Sequence, residues 1–558
     1  MKPIRIYCAN TEKSIDIEGG STLLEVAGKF LTDPEKYICA LVNNKTEALD
    51  FILYSPKRVE FLTPDSPEGR EVYIRSLCMV LYKAVRNLFP HLTLRIELSI
   101  SRGYYCRLLD AAGKATELSA EEVASILDKM RQYVAQNLPF RRMEEPTEDV
   151  IRVFVEEGLT DKTELLSTLN QLYTSYYRLG ETADSYYQPL APSTGFLTVF
   201  NLLPYKKGFL LLGPDSKNPE VAASPIQQEK MHRAFVEHLR FNRIIRVANV
   251  GELNRAVEKG TTADLINVAE ALHNKLLGRI SDDIAERRHH GEAGIVLIAG
   301  PSSSGKTTSC KRLAIQLMTN LITPKMISLD DYFVDRDNTP RDESGDYDFE
   351  SLYALDLERF NSDLQRLLAG EEINLPTYSF ELGRRVEKPR PLRLEADDVL
   401  IIEGIHGLNP ELTASIDPKN LYKIYVSALT TLRIDDHNWI STSDTRLLRR
   451  IVRDHKYRHI SAEETIRRWP SVRRGEEKWI FPFAENADAT FNSSLIFEIG
   501  VMKEYAEPLL RDVAHDRRQY AVAYRLLRFL QLFKGVPASQ IPTTSLLREF
   551  LGGSSFHY

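Results

Sequence analysis

Residues 295–308 read IVLIAGPSSSGKTT, and this stretch decides the fold of the C-terminal half of the chain. An unbroken apolar run comes first, and a turn rich in glycine and serine leads into a polar helix. The pattern G-x-x-x-x-G-K-[ST] is matched by Gly300, Gly305, Lys306 and Thr307. The stretch therefore predicts a buried strand, a phosphate-binding loop and a helix, in that order.

Polyphosphate needs many hydrogen-bond donors in a small space, and this loop can supply them from its backbone. The two glycines permit tight dihedral angles and close approach of a phosphate, and the helix points its positive N-terminal end at the same place. We expect Lys306 to reach the β- and γ-phosphates and the Thr307 hydroxyl to ligate Mg²⁺. The alternative is an ordinary turn with a chance lysine. The residues expected to hold ATP are Gly300, Ser302, Ser303, Ser304, Gly305, Lys306, Thr307 and Thr308.

A second carboxylate follows another buried strand. The stretch DDVLIIEG ends its apolar run at Glu403. The carboxyl ends of parallel strands meet at one sheet edge, so this side chain can hold Mg²⁺ there directly or through water. Glu403 and Thr307 are the predicted metal residues, and an ordinary charge at the end of a strand is the alternative.

Strands and helices alternate on both sides of the loop, from residue 290 to about residue 500. The apolar runs in GIVLIAG, DDVLIIEG and LYKIYVS are continuous, as expected when both faces of a sheet are covered. The pattern predicts the α/β fold class with a doubly wound parallel sheet.

The remaining length requires further domains. At about 150 residues per domain, the 558 residues correspond to three or four domains. Hydrophobic residues make up 43% and charged residues 27%, which excludes disorder over most of the chain. The net charge of −6 does not favour a nucleic-acid binder, although a single basic face stays an open alternative.

Targeting and membrane signals are not expected in this sequence. It has no run of about 18 apolar residues, and the opening MKPIRIYCAN lacks an apolar leader. The five cysteines are scattered without a CxxC pair, which argues against disulfides and against a structural zinc site. We therefore expect a cytoplasmic protein without membrane contact.

Breaks in the pattern divide the chain into five parts. Helices are expected over 22–30, 73–89 and most of 227–288, and strands over 196–203 and 208–213. The expected parts are a β-grasp domain at 1–63, an α+β domain at 70–225, a helical linker at 226–289, the α/β domain at 290–500 and a C-terminal helical segment at 501–558.

Five motifs in one order carry a resemblance. They read GPSSSGKTT, ISLDDYF, LPTYSF, LIIEGIHGL and DTRLLRRIVRDHKYR. With them, residues 294 to about 500 resemble the uridine kinase and phosphoribulokinase superfamily. The resemblance implies an α/β P-loop kinase fold, ATP-dependent phosphotransfer to an alcohol group, and a nucleoside as the small-molecule phosphate acceptor.

The resemblance assigns catalytic roles by motif position. Asp330 stands where such kinases carry the carboxylate that takes the proton of the acceptor hydroxyl, and Asp331 is the alternative in the pair. The basic stretch matches the lid, whose arginines neutralise charge on the transferred phosphoryl group. A basic helix solvated on one face is the ordinary alternative for some of the five arginines in that stretch, which are Arg446, Arg449, Arg450, Arg453 and Arg458. The implied catalytic residues are Lys306, Asp330, Arg450, Arg453 and Arg458.

The same resemblance places the acceptor. Tyr378 matches a tyrosine near the nucleoside base, and Glu350, with Asp348 as the alternative, matches the aspartate that grips the ribose hydroxyls. Gly383 stands where uridine kinases carry a histidine near the pyrimidine, so the chain departs from the pattern there. The implied acceptor residues are Asp330, Tyr332, Phe333, Glu350 and Tyr378.

Two histidines within the lid stretch have a spacing that occurs in zinc sites. His455 and His459 form H-x-x-x-H, which places both side chains on one helix face. No glutamate follows the first histidine and no third ligand is evident in the sequence, so we do not expect a metal there.

The front of the chain resembles threonyl-tRNA synthetases. Residues 1–63 are similar in pattern to their N-terminal β-grasp (TGS) domain, and residues 70–215 to their second, editing-type domain. The matched stretches are YIRSLCMVLYKAVRNLFP, SRGYYCRL and YYQPLAPSTG. We expect the fold without zinc or hydrolysis, used as a scaffold or as a binding cleft. The four metal-ligand positions hold Arg75, Met79, Tyr186 and Leu190.

Two functions follow from these observations. The first is a nucleoside kinase that phosphorylates the 5′-hydroxyl of a uridine- or cytidine-like substrate. The alternative is an RNA- or ribosome-associated NTP-binding protein that uses the front half for docking and the phosphate loop as a switch. The kinase is favoured by Asp330, Tyr378 and the lid arginines. A GTPase switch would need an N-K-x-D motif to read guanine, and the sequence contains none. The helical stretch 502–551 is the expected interface of a homo-oligomer.

Overall fold

A computed structural model describes residues 3–342 and 345–557 of the chain. Within these ranges, no helix combines the length and the apolar character needed to cross a membrane. All five cysteines lie in the described ranges, where they are buried and unpaired.

The first unit, the front sheet, has one helix packed against five paired strands. Its elements are β1 (Pro3–Cys8), β2 (Lys13–Glu18), β3 (Ser21–Thr22), α1 (Leu23–Phe30), β4 (Cys39–Val42), β5 (Lys45–Ala48), β6 (Ile52–Leu53) and β7 (Lys57–Leu62). The strand order is β2-β1-β7-β4-β5, with β1 and β7 parallel, and β3 pairs with β6 outside this sheet. This is the predicted β-grasp arrangement. Thr22 caps α1 by accepting a hydrogen bond from the Glu25 backbone, so the helix begins one residue later than predicted.

The second unit combines two antiparallel sheets with four helices. Its elements are α2 (Pro67–Leu88), β8 (Thr93–Ile100), β9 (Gly103–Leu109), β10 (Ala115–Thr116), α3 (Ala120–Ala135), β11 (Arg141–Pro146), α4 (Thr147–Glu157), α5 (Thr160–Thr168), β12 (Tyr173–Leu179), β13 (Thr182–Asp184), β14 (Asn201–Tyr205) and β15 (Gly208–Leu212). One sheet runs β10-β9-β15-β14 with β8 beside β9, and the other runs β11-β12-β13. Helix α2 lies in the core shared by both sheets.

Two element boundaries in this unit differ from the prediction. Helix α2 begins at Pro67 because the Ser66 hydroxyl accepts a hydrogen bond from the backbone of Gly69 at 3.2 Å. The strand expected over 196–203 begins only at Asn201. The segment before it turns because Thr194 donates its hydroxyl to the Tyr133 carbonyl at 2.6 Å.

Three helices lead from the second unit to the rest of the chain. They are α6 (Glu229–Ile245), α7 (Val250–Glu258) and α8 (Thr262–His289). The stretch is helical as predicted, but α8 does more than connect. Leu277, Ile280 and Ile284 of α8 share a buried cluster with Val296, so α8 forms part of the core of the following sheet.

The P-loop unit, residues 295–496, holds a five-stranded sheet. Its elements are β16 (Ile295–Ala299), α9 (Lys306–Thr319), β17 (Pro324–Ser328), α10 (Leu357–Leu368), β18 (Ile373–Asn374), β19 (Tyr378–Ser379), β20 (Arg384–Arg385), β21 (Pro391–Leu392), β22 (Val399–Glu403), β23 (Leu421–Ser427), α11 (Thr442–Arg458), α12 (Ala462–Trp479) and β24 (Ala489–Asn492). The order β17-β22-β16-β23-β24 is parallel throughout. The short strands pair β18 with β21 and β19 with β20.

Helices cover both faces of this sheet. Leu297 of β16 packs in one cluster with Phe360 and Leu364 of α10. Val296, the adjacent residue, faces the opposite cluster with Leu313 of α9. Neighbouring residues of a strand point to opposite faces, so the continuous apolar run is explained, and the predicted doubly wound parallel sheet is confirmed.

The C-terminal segment is broken and packs on the P-loop unit. Its helices are α13 (Glu498–Arg511), α14 (Tyr520–Leu530) and α15 (Arg548–Leu551). The segment expected to be helical over 502–551 is helical in three pieces, with breaks at 512–519 and at 531–547; the second break contains Pro537 and Pro542, which interrupt helical hydrogen bonding. Leu546, Leu547 and Phe550 are fully buried against α11 and α12, so these apolar side chains are used within the chain.

Candidate active site

The phosphate loop, residues 300–307, leaves the carboxyl end of the central strand β16 and enters α9. A Cβ atom on Gly300 would lie 2.0 Å from the carbonyl oxygen of Val426 in β23, so only glycine fits this approach. Gly305 has a φ of +85°, and a Cβ there would lie 2.6 Å from Leu546. Both glycines of the motif are therefore required by the backbone path.

Two buried arginines hold the loop from behind. Arg446 forms an ion pair with Glu476, and Glu476 accepts a hydrogen bond from the backbone of Ser302 at 3.1 Å. Arg446 also donates to the Ser302 carbonyl at 3.0 Å. Arg449 donates to Glu498 at 2.9 Å and to the Ser303 carbonyl at 3.4 Å. Arg446 and Arg449 are thus fully used in supporting the loop and do not form a solvated helix face.

The two predicted metal residues lie next to each other at the sheet edge. The Thr307 hydroxyl donates to Glu403 Oε1 at 3.4 Å, and the Ser328 hydroxyl donates to the same oxygen at 2.9 Å. Burial, followed by the neighbouring carboxylate of Asp330, raises the pKa of Glu403 to about 7. A hydroxyl beside a carboxylate site with surplus negative charge suits a hard divalent cation, so these residues fit Mg²⁺.

The two adjacent aspartates after β17 have different surroundings. Asp331 forms an ion pair with Arg390 at 2.8 Å, which occupies its carboxylate. Asp330 follows the end of β17, where its backbone donates to the Ser328 hydroxyl at 3.3 Å. Its charge acts on the buried carboxyl groups of Glu350 and Glu403. Asp330 is therefore the aspartate of the pair that faces the site.

Glu350 is brought to the same cleft by the long connection before α10. Burial raises the pKa of its carboxyl to about 7, and the nearby Arg450 guanidinium acts against that rise. Its Oε2 atom is buried and has no hydrogen-bond partner among the described residues. Asp348, the alternative in the sequence, instead accepts the backbone hydrogen bond of Glu350 at 3.2 Å.

An aromatic wall, formed by Phe333, Tyr378 and Phe380, borders the cleft. The ring centroid of Phe333 lies 5.6 Å from that of Tyr378 and 5.7 Å from that of Phe380. Tyr332 does not join this wall. It is fully buried, and its hydroxyl donates to Asp363 at 3.1 Å, so its side chain belongs to the core behind the cleft.

Arg336 fills the place beside Gly383. The guanidinium carbon would lie 2.6 Å from a Cβ built on Gly383, and Arg336 donates to the Phe380 carbonyl at 2.8 Å. Where the resemblance leads one to expect a histidine, the structure therefore places a guanidinium from another segment. No sequence signal singled out this arginine, because it lies outside the matched motifs.

The three predicted lid arginines converge on one carboxylate. Asp454 lies 3.3 Å from Arg450, 2.8 Å from Arg453 and 3.7 Å from Arg458. Arg450 also donates to the Ser302 hydroxyl of the loop at 2.6 Å. Repulsion from Arg453 lowers the pKa of Arg458 to about 10. One carboxylate does not balance three guanidinium groups, so the cluster is ready to accept an anion.

The two lid histidines are not arranged as ligands. His459 is the C-cap of α11 with a φ of 54°, and both side chains are exposed. Among the described residues, no group of three or more His, Cys, Asp or Glu side chains could hold a metal ion.

The C-terminal segment adds a carboxylate that the motifs did not indicate. Glu549 accepts hydrogen bonds from the backbone and the hydroxyl of Thr308, at 3.2 and 2.6 Å. These donors lie on the first turn of α9, among the residues predicted to hold ATP. The partners are 241 residues apart, so no local pattern could have revealed the contact.

In the second unit, α2 contacts the segment after β13, and these two segments carry the four metal-ligand positions of the resemblance to threonyl-tRNA synthetases. Ser76 and Ala191 lie beside these positions on α2 and after β13, and they share a hydrogen bond of 2.8 Å. Arg75 donates to the Tyr187 hydroxyl at 3.4 Å. These contacts join α2 to the segment after β13, and the four positions hold buried arginine, methionine, tyrosine and leucine side chains.

Known proteins are similar to this chain in two separate parts. Residues 295–496 match the model of the Phosphoribulokinase / Uridine kinase family. The uridine kinase of Brevibacillus brevis is 29% identical over 184 residues, which cover 33% of this chain and 77% of that kinase. D-glycerate 3-kinase from Cryptococcus neoformans has a similar solved structure at 15% identity and a TM-score of 0.21, covering 48% of this chain and 89% of that one.

The N-terminal region is similar to a different class of protein. Threonine--tRNA ligase of Clostridium kluyveri is 28% identical over 193 residues, which are 34% of this chain. The chain spans 30% of the length of that ligase.

Proposed function

We propose that this chain, whose residues 295–496 form a domain of the phosphoribulokinase and uridine kinase family, is an ATP-dependent kinase of a small molecule. The expected acceptor is the 5′-hydroxyl of a uridine- or cytidine-like nucleoside. The observation that carries the proposal is the meeting of the phosphate loop, the unpaired Asp330 and the Arg450–Arg453–Arg458 cluster at one sheet edge.

The loop and the arginines handle the phosphates of ATP. Backbone N–H groups and Lys306 bind the β- and γ-phosphates, while the guanidinium groups neutralise charge that develops on the transferred group. Lys306 donates to the Pro301 carbonyl at 3.2 Å in the structure, so it needs only a local movement to reach a phosphate. Thr307 and Glu403 would hold Mg²⁺, which supplies charge neutralisation and orientation of the phosphates when bound.

Asp330 orients the acceptor hydroxyl and takes its proton. Its partner Asp331 is held by Arg390 and is not free for this role. Glu350, buried with one oxygen unpartnered, is suited to accept hydrogen bonds from two further hydroxyls of the acceptor. Both roles need free carboxylate oxygens, and no ion pair to Asp330 or hydrogen bond to Glu350 Oε2 is found within residues 3–342 and 345–557.

The aromatic wall supports a planar acceptor. The buried Tyr378 ring meets the Phe380 ring edge to face at 5.2 Å between centroids, and Phe380 is 38% exposed. A base can stack on such a surface. The guanidinium of Arg336 is a donor-only group, which favours a ring that carries carbonyl oxygens, as pyrimidines do.

The test is ADP release by the purified protein with Mg²⁺-ATP and a panel of nucleosides, sugars and sugar phosphates, with Lys306→Ala as the blank. Saturable turnover with a pyrimidine nucleoside is the expected result. Turnover with a sugar alone would retain the kinase and reject the nucleoside. ATP hydrolysis that responds to tRNA but to no small acceptor would contradict the proposal and favour an RNA-associated NTPase.

A further inference from the structure

A loop of the P-loop unit lies inside the second unit. The docking loop, residues 433–439 (RIDDHNW), lies between β23 and α11. Its Asp436 carbonyl accepts a hydrogen bond from the backbone of Ile96 in β8 at 2.8 Å. Asn438 donates to the Ser185 carbonyl, just after β13, at 3.0 Å. The loop is thus bonded to the backbone of both sheets of the second unit.

Buried charges lock one side of the loop. Lys162 lies 2.9 Å from Asp184 and 2.8 Å from Asp435, and all three side chains are at most 3% exposed. His437 Nδ1 lies 2.8 Å from the other oxygen of Asp184. Tyr186 donates its hydroxyl to that oxygen at 2.8 Å. Every charge in this group therefore has a partner of opposite sign or a hydrogen-bond donor.

The pKa directions agree with a compensated network. Burial alone would raise the pKa of Asp184, but Lys162 and His437 hold it below its usual range. Burial alone would lower the pKa of His437, but Asp184 raises it. Asp184 thus stabilises the charged forms of Lys162 and His437, whereas burial and the carboxylates of Asp436 and Asp435 raise the pKa of the neighbouring Asp161 to about 6.

A second set of contacts locks the other side. Arg433 lies 3.0 Å from Glu97, which is buried and also pairs with Arg107. Arg95 donates to Asp436 at 2.7 Å. These pairs join β8 and β9 of the second unit to the loop across a buried surface.

The loop lies in a cleft between α2, β9 and the segment after β13, near one of the four positions that the front resemblance singled out. Tyr186 stands at one of the four former ligand positions, and its hydroxyl belongs to the network around Asp184. Tyr82 lies on α2 about one turn after Met79, and its ring centroid is 4.2 Å from that of His437. At the end of the docking loop, Trp439 packs on Tyr104 of β9, with 4.5 Å between the ring centroids.

The lid helix begins directly after this loop. Helix α11 starts at Thr442, three residues after Trp439, and carries Arg450 and Arg453 to the phosphate loop. A loop that is anchored by buried ion pairs fixes the origin and direction of the helix that follows it. The second unit is therefore in a position to set where the lid arginines stand.

We infer that the second unit serves as an anchor for the lid: its cleft binds the docking loop 433–439, and this contact holds α11 in the orientation needed for phosphoryl transfer. Asp184 and His437 are positioning residues in this arrangement, because they touch neither the phosphate loop nor the acceptor cleft. The inference rests on the proposed kinase function for its effect on turnover, but the anchoring itself can be measured without an acceptor.

The test compares Asp184→Asn with Asp128→Asn in the full-length protein. Asp128 is an exposed carboxylate of the same unit, paired with Arg131 at 3.4 Å, so it controls for loss of a charge. For Asp184→Asn we expect faster amide hydrogen exchange in 442–458 and unchanged exchange in α9. We also expect at least a 10-fold lower kcat and weaker ATP binding, because Arg446 and Arg449 of α11 support the phosphate loop. Asp128→Asn should match the wild type in all three measurements.

Trp439→Leu provides a second variant that leaves the buried charges intact. It removes the contact with Tyr104 at the edge of the cleft and should increase exchange in 442–458 to a smaller extent. If Asp184→Asn does not fold, this variant decides the question. Unchanged exchange in 442–458 for a folded variant of either kind would overturn the inference. Absence of turnover in the wild type with every acceptor would reject the kinase function, while the exchange result would still decide the anchoring.

Discussion

The P-loop cleft and the cleft of the second unit are both lined by buried polar groups, but the groups around Asp184 are paired within the protein and several at the phosphate loop are not. At the phosphate loop, the Ser303 hydroxyl, the Ser304 hydroxyl and Glu350 Oε2 are buried without a hydrogen-bond partner among the described residues. Around Asp184, the docking loop supplies Asp435 as a partner for Lys162 and His437 as a partner for Asp184. Unpartnered buried groups are costly, so they indicate where a ligand is expected, and paired groups indicate a cleft already filled.

The carboxyl groups of the two clefts differ in the same way. Burial, together with the nearby carboxylate of Asp330, raises the pKa of Glu350 and of Glu403 to about 7, although Arg450 acts against the rise at Glu350 and Lys306 at both. Asp184 has a lowered pKa in spite of its burial, because Lys162 and His437 face it. Surplus negative charge is what a cation or a set of hydroxyl donors would relieve, while the Asp184 network needs no ligand.

The largest expected effect is on turnover and comes from the P-loop cleft. Lys306→Ala should abolish phosphoryl transfer, and Asp330→Asn should lower kcat by at least about 100-fold, because a proton acceptor is lost. Steady-state ADP release measures both. Asp331→Asn is the matched control and should change kcat by less than about 3-fold, since it removes only the ion pair with Arg390. Equal losses in the two asparagine variants would remove Asp330 from the mechanism.

The next effect is on stability and comes from the other cleft. Asp184→Asn leaves the buried Lys162 with Asp435 as its one close ion-pair partner and removes the carboxylate beside His437, which should lower the free energy of unfolding by about 3–5 kcal/mol. Chemical denaturation measures it. Asp330→Asn should stay within about 0.5 kcal/mol of the wild type. A stable Asp184→Asn variant would mean that the network does not hold the two units together.

A pH profile should separate the carboxyl groups further. At saturating Mg²⁺ the cation keeps Glu403 ionised, so Glu350 sets the profile. Its raised pKa of about 7 means that it is protonated at pH 6 and ionised at pH 8. We therefore expect kcat/KM for the acceptor to rise about 10-fold from pH 6 to pH 8. Glu350→Gln should lower this ratio and remove the rise; an unchanged rise in that variant would assign it to another group.

The smallest expected effect concerns the carboxylate on the first turn of α9. Glu549 takes two donors of Thr308 that an ATP phosphate would use, so Glu549→Gln should tighten ATP binding by about 3- to 10-fold. Titration calorimetry measures the Kd without an acceptor. Glu504→Gln, an exposed change on α13, serves as the control and should have no effect. Weaker binding in Glu549→Gln would show that this carboxylate supports the nucleotide site.

Local sequence patterns predicted the frame of the P-loop cleft. An apolar run, two glycines and a polar helix dictate the strand, turn and helix at 295–319, because each requirement acts over a few residues. Parallel strands then bring Thr307 and Glu403 to one edge. The bounds of the helices in 502–551 and of the strand over 196–203 were predicted less well. Side-chain hydrogen bonds and prolines end such elements within a few residues.

Other features could not be predicted from spacing. Glu476 supports Ser302 from 174 residues away, and Glu549 reaches Thr308 from 241 residues away. Arg336 and Arg390, which hold the places beside Gly383 and Asp331, lie outside the motifs that the resemblance matched. Ion pairs of this kind depend on which segments the fold brings together, and a sequence window contains only one partner.

The sequence by itself determined the phosphate loop, the parallel sheet around it and the identity of the side chains at its edge, because backbone sterics and apolar periodicity act locally. Only the tertiary structure decided what fills the cleft of the second unit. His437 and Asp184 are 253 residues apart, and neither has a motif around it that predicts the other. Burial in a shared interior turns these separate charges into one network, since a buried charge is stable only beside its partner.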